Sequence, residues 1–252
     1  MRGIVLQIKP WLLQHRALPF VDHERLSFTF KDHKGQISYI ATQHPLHETT
    51  EDFWRMVWDQ KAHTVVMVND EEKEKPAEFV DYLPKGQGNS KQFGGINVTV
   101  KQITEKADYL LTVLSIVEGK NAASPREVSH MRFTSWKERA MPNVALFVAF
   151  VTATREARKK HGHTKAPTIV HCSDGLGFSG VYIAVDIGIK SHEESKTSVV
   201  DVFELSKNLR HDRHGIVCTL EHYNFIYQVS YNWQIMSHIG SSVFAVTHDF
   251  ST

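Results

Sequence analysis

Residues 168–189 constrain the fold of this chain more than any other stretch. Thr168-Ile169-Val170 is a short β-branched run that reads as a buried strand, and Val181 to Ile189 has helical spacing. Between them stands His171-Cys172-Ser173-Asp174-Gly175-Leu176-Gly177-Phe178-Ser179-Gly180, a glycine-rich turn built around a cysteine. A strand, such a turn and a helix, in that order, aim successive backbone N–H groups and the positive end of a helix at one point. That arrangement attracts anions and lowers a thiol pKa. An α/β architecture with Cys172 at the centre of an anion-binding loop is therefore expected.

The rest of the chain agrees with one α/β unit without repeats or low-complexity linkers. Thr50 to Gln60 is amphipathic, with Phe53, Met56 and Val57 on one side and Thr49 or Thr50 as N-cap. Val65 to Val68 reads as a buried strand. Ile96, Val98 and Val100 alternate with Asn97, Thr99 and Lys101, and Leu110 to Val117 follows after a polar turn, so an antiparallel pair is predicted there. Arg126 to Thr134 continues the sheet. Ala145 to Lys160 has helical spacing and ends in a basic turn that suits the helix dipole. Glu71 to Gly95, rich in charge and glycine, reads as a solvated excursion. The expected fold is a single domain over 1–252, a twisted mixed β-sheet flanked by helices on both sides.

Composition narrows the functional classes. A formal net charge of +1 gives no overall pull toward nucleic acid. The longest purely apolar run, Val144 to Val151, is far too short to span a membrane. Two cysteines, Cys172 and Cys218, make no disulfide framework and suit a reducing compartment, hence a cytoplasmic location. Sixteen histidines, including His161/His163 and His211/His214, match no zinc spacing, so neither metal nor cofactor is expected. The basic cluster Arg155, Arg158, Lys159, Lys160 reads as the C-terminal face of a helix.

The 171–180 loop resembles the His-Cys-(x)5-Arg-Ser/Thr-Gly signature of the phosphotyrosine-specific protein tyrosine phosphatases, in which the cysteine attacks phosphorus and the arginine clamps the phosphoryl oxygens. The likeness extends well beyond the loop. Tyr39 to Leu46 with Glu51 to Trp58 resembles the family's "YIATQGPL…DFWRMVW" stretch, and Phe133 to Glu138 resembles the strand that enters the mobile acid loop. Val200 to Tyr231, with Arg210, Arg213 and Gly215, is similar to the C-terminal helices and the loop that positions the hydrolytic water. The resemblance implies that Cys172 is the vestige of the nucleophile and Glu138 that of the general acid. It makes His171, Ser173, Asp174, Gly175, Leu176, Gly177, Phe178, Ser179 and Gly180 the phosphate loop, and gives Cys218 and His222 the places of two water-positioning glutamines.

Several chemical positions depart from the family's pattern. Phe178 replaces the clamping arginine, a loss on the order of 10³ to 10⁵ in rate by analogy with arginine fingers. Asp174 brings a carboxylate into the loop, where it repels a phosphate dianion and disfavours the Cys172 thiolate. Lys137-Glu138 stands for Pro-Asp, Cys218 cannot make a glutamine's hydrogen bonds, and Gln14 to Phe20 lacks the tyrosine that stacks on phosphotyrosine. Phe178 either plugs the old site or joins the core beneath it, and Cys172 either keeps thiol reactivity or serves as a small buried hydrophobe. On this alignment the loop of Cys218 should face that of Cys172.

Three functions follow from the resemblance. One is an inactive phosphatase-like protein that binds a protein partner, phosphotyrosine-containing, as a decoy in signalling. Another is a weak phosphatase using Cys172, and a third is a regulatory module whose pocket holds no ligand. The shortened N-terminus and the Asp after Cys-Ser also resemble phosphatase-like proteins of bracoviruses, which implies action in the cytoplasm of infected insect cells.

Overall fold

Strand β8 (Thr168–Cys172) is buried along its whole length, and the sheet is built around it. The computed structural model describes residues 27–68, 80–119, 125–136, 141–162, 165–195 and 200–248. Among them, β1 (Ser27–Lys31), β2 (Ile37–Gln43), β3 (Thr64–Met67), β4 (Ser90–Phe93), β5 (Ile96–Glu105), β6 (Tyr109–Glu118), β7 (Arg126–Phe133) and β8 form one sheet in the order β1-β2-β8-β3-β7-β6-β5-β4. The four central strands β2, β8, β3 and β7 run parallel, while β1 on one side and β6, β5 and β4 on the other pair antiparallel. Parallel strands buried on both faces need apolar residues at consecutive positions, which is why Val65-Val66-Met67 and Ile169-Val170 do not alternate.

Helix α1 (Thr50–Asp59) covers one face, packing Phe53, Trp54 and Val57 with Ile96, Val98, Leu114 and Ile169. Helices α2 (Val144–Lys160), α3 (Gly177–Ser195), α4 (Val202–Asp212) and α5 (Leu220–His248) cover the other, where Phe147, Phe150, Tyr182, Val185 and Phe225 join Phe133 and Val170 in the larger core. Helices on both faces and a mixed sheet are what the sequence predicts. Neither α1 threonine caps that helix with its side chain: the Thr49 hydroxyl accepts from Leu46 N (3.0 Å) and that of Thr50 donates to Leu46 O (2.7 Å), both closing a 3-10 turn at His47–Thr49. Asn143 caps α2 through Ala145 N and Leu146 N, and Asp201 caps α4 through Glu204 N.

The stretch read as a solvated excursion differs from expectation. Residues 71–79 of it lie outside the described residues, but Ser90–Phe93 forms the edge strand β4, and Tyr82 and Phe93 are buried against α1. Only one side chain of β4 points inward, so four residues with a single apolar member carry no alternation to read.

Candidate active site

At the C-terminal end of β8 the chain leaves the sheet and makes a tight loop before α3. Gly175 permits it, with φ at +69°, where a Cβ would come within 2.4 Å of Thr42 O. The loop is tied to its surroundings by His44 N donating to Ser173 O (3.1 Å), Val68 N to His171 O (3.0 Å) and Val217 N to Leu176 O (3.3 Å). The last of these joins it to the segment that carries Cys218. That segment is itself held by the Arg210 guanidinium, which donates to Ile216 O and Val217 O at 3.3 and 2.7 Å.

Beneath the loop lies a buried polar cluster. The Tyr82 hydroxyl is 2.6 Å from Nε2 of both His130 and His171. With one proton to give, it donates to one ring and accepts from the other, so the two imidazoles hold different tautomers. Burial pushes His130 down to about 3 and His171 well below its ordinary value, so both are neutral at neutral pH. His44 packs edge-on to both Tyr82 and His171. Sequence reasoning singled out His171 but missed Tyr82, His130 and His44, because these three are distant in the chain and carry no shared spacing; the parallel register of β3, β7 and β8 sets His130 near His171, while His44 and Tyr82 come from the segments after β2 and before β4.

Cys172 is 1% exposed. Burial pushes its thiol up to about 12, the Asp174 charge adds to the push, and the N–H and hydroxyl of Ser179 oppose it. The expected lowering of the thiol pKa is therefore reversed, because removal from water outweighs the loop's dipoles. Asp174 does more than repel. Its Oδ1 accepts from Leu176 N (2.8 Å), from Gly177 N at the longer distance of 3.4 Å, and from Cys172 Sγ (3.3 Å). Two of the backbone donors that an anion in the loop would use, Leu176 N and Gly177 N, are engaged by the loop's own carboxylate.

Phe178 packs against the core in the neighbouring aromatic cluster. Its ring centroid is 4.1 Å from that of Trp136 and 5.3 Å, edge-on, from that of His222. Of the two readings left open for this side chain, the geometry favours joining the core. Cys218 and His222 face the loop as the alignment predicts: a Cβ on Gly177 would lie 2.7 Å from His222 Cε1 and 3.1 Å from Cys218 Sγ. The two also contact each other, Cys218 Sγ standing 3.4 Å from His222 Nδ1. Both cysteines are free thiols, and burial, with the Asp174 charge second, raises the pKa of each. Arg213 stacks its guanidinium 3.7 Å from the centre of the Phe28 ring; burial lowers its pKa and the Asp174 charge opposes that. Glu138 with Lys137, and the Gln14 to Phe20 segment, lie outside the described residues. Among the described residues no cluster of three or more metal-ligating side chains occurs, and no helix is long and apolar enough to cross a membrane.

The family model for protein-tyrosine phosphatase matches residues 27–232. Human tyrosine-protein phosphatase non-receptor type 5 is 35% identical over 192 residues, covering 76% of this chain and 32% of that protein. Human receptor-type tyrosine-protein phosphatase C is 35% identical over 196 residues, covering 77% of this chain and 15% of that protein. The chain thus spans a third or less of the length of these relatives. A solved structure described as the structural basis of the PTPN18 fingerprint on distinct HER2 tyrosine phosphorylation sites superposes with a TM-score of 0.74 at 25% identity, covering 83% of this chain and 72% of that one. With the cysteine loop at the end of a central parallel strand, the Cys218 segment facing it, and a family match over most of its length, this chain belongs to the protein-tyrosine phosphatase family.

Proposed function

We propose that this chain is a pseudophosphatase, a phosphatase fold that engages a protein partner in phosphotyrosine signalling without turning substrate over. The observation that carries this reading is the Asp174 carboxylate bonded to Leu176 N, Gly177 N and Cys172 Sγ. A phosphate dianion would have to displace it, and would meet Phe178 where a guanidinium is needed. With the thiol pushed up to about 12, the thiolate fraction at neutral pH is about one in 10⁵. A nucleophile that scarce, with no clamp on the phosphoryl oxygens, leaves little for a general acid to assist. On the resemblance to bracovirus phosphatase-like proteins, the setting is the cytoplasm of an infected insect cell and the partner a phosphotyrosine protein of the host.

The test is hydrolysis of a small aryl phosphate by wild type and by Cys172→Ser. Equal, background rates are expected; a rate that disappears in Cys172→Ser would overturn the reading in favour of a weak phosphatase. Calorimetry with vanadate then separates a blocked cradle from a lost one. Asp174→Ala combined with Phe178→Arg should bind the oxyanion where wild type does not. A folded double variant that fails to bind would point instead to a regulatory module without ligand in the old pocket.

A further inference from the structure

The opposite pole of the sheet carries a second cavity. The N-terminal ends of the parallel strands β2, β3 and β8, at Ile37, Thr64 and Thr168, open into a space of about 430 Å³ walled by the end of α2 and the outer part of α3. This is within the range of small-ligand pockets. The basic residues at the end of α2, read from sequence as a plain helix face, line it.

Five cations, Arg155, Arg158, Lys159, Lys165 and Lys190, line the cavity against three carboxylates, Asp32, Asp186 and Glu194. The two buried carboxylates are already saturated. Asp186 accepts from Tyr39 Oη and Arg158 Nη1, both at 2.8 Å, with Arg155 Nε at 3.7 Å. Asp32 accepts from Lys190 Nζ (2.8 Å), Ser38 Oγ (3.2 Å) and the backbone N–H groups of Lys34 and Gln36. These acids hold the cations in place, and an excess of two positive charges remains among the lining residues (5 − 3 = 2). The exposed Glu193 and Glu156 pair with Arg155 and Lys159 from outside the lining, and an incoming dianion has to displace them.

One observation points from charge to a ligand. Arg155 Nη1 is buried without an acceptor, an unmet donor that an anion would fill. Beside it, the imidazoles of His63 and His161 stack with centroids 5.1 Å apart. His63 Nδ1 faces the Glu127 carbonyl at 3.0 Å and must donate there, so in the neutral ring Nε2 is an acceptor and the ring serves as wall rather than as a donor to an anion. His161 Nε2 is engaged by Ser129 Oγ at 2.9 Å, which fixes its ring at the cavity wall.

The geometry points to an anion site for a small phosphate monoester, read by Arg155 with Lys159 and Lys165. Once Glu193 and Glu156 are displaced, the two excess charges among the lining residues match the dianion that such an ester carries above its second pKa of about 6. This site is independent of the phosphate loop and of the pseudophosphatase reading. Calorimetric titration of the full chain with inorganic phosphate, and with a simple alkyl phosphate, against chloride at matched ionic strength tests it. A dissociation constant on the order of 1 mM is expected, weakened at least about tenfold in Arg155→Gln and in the Lys159→Ala/Lys165→Ala double variant, and unchanged in Cys172→Ser. The two lysines are surface residues, so the double variant keeps the test decisive should Arg155→Gln fail to fold. Absence of saturable binding, or binding that survives the lysine double variant, would overturn the proposal.

Discussion

At the scale of single residues, Asp174 and Phe178 together determine what the cysteine loop can do. Asp174 acts on Cys172 through charge and a direct contact, but burial is the larger cause of the raised thiol pKa. Asp174→Ala should therefore lower the Cys172 pKa without making it an ordinary thiolate nucleophile. The pH dependence of alkylation, read by mass spectrometry, checks this: in wild type the exposed Cys218 should react first and Cys172 hardly at all near neutral pH. Equal reactivity of the two thiols would contradict the burial argument. Phe178 poses the opposite problem, because its packing on Trp136 and His222 contributes stability. Phe178→Arg should thus cost about 1–3 kcal/mol in urea denaturation even as it restores a phosphate ligand. A gain in stability would show that the aromatic contact is strained.

At the scale of elements, the loop works as a junction between β2, β8, α3 and the segment before α5. Gly175 is the point of closest approach to β2, and any side chain there meets backbone rather than a mobile neighbour. Gly175→Ala should destabilise the fold by about 2 kcal/mol or more, from the left-handed backbone and the collision with Thr42 O. Gly215 also has positive φ, yet a Cβ there would meet nothing within 4 Å. Gly215→Ala should accordingly cost less, about 1 kcal/mol, from the backbone alone. Comparable urea midpoints for the two variants would mean that the β2 contact is not a tight one. Of β2 and β8 only β8 is read from the sequence as a buried strand; the pairing of Gln43 with Cys172 is a tertiary fact.

At the scale of the whole molecule, the buried histidines link stability to pH. His130 and His171 are held neutral in the fold while the unfolded chain protonates them, so the unfolded state binds more protons as pH falls below about 6.5. Their contribution is intact above that value and is lost progressively toward the folded-state pKa, about 3 for His130. Between pH 7 and pH 5 the loss should be about 2 kcal/mol for His130, and His171 adds a loss of the same sign. Urea denaturation across that range should show the slope, reduced in His130→Asn; a flat profile would mean that the imidazoles can be protonated in place. The lowered Asp32 acts further down, its stabilisation disappearing only as pH falls through its own range toward about 2.

The sequence by itself determined the α/β class, the strand, turn and helix around Cys172, the family resemblance and the altered positions within it, because hydrophobic periodicity, glycine placement and short motifs are local properties of a chain. It could also say that Asp174 would oppose a phosphate, since charge needs no coordinates. Only the tertiary structure decided that the same carboxylate takes the Leu176 and Gly177 donors, that burial outweighs the loop's dipoles at Cys172, and that Phe178 leans onto Trp136. The Tyr82 cluster and the Arg155 cavity belong to the same group. Each depends on desolvation and on distances between residues far apart in the chain, which the packing of the sheet sets and no single segment encodes.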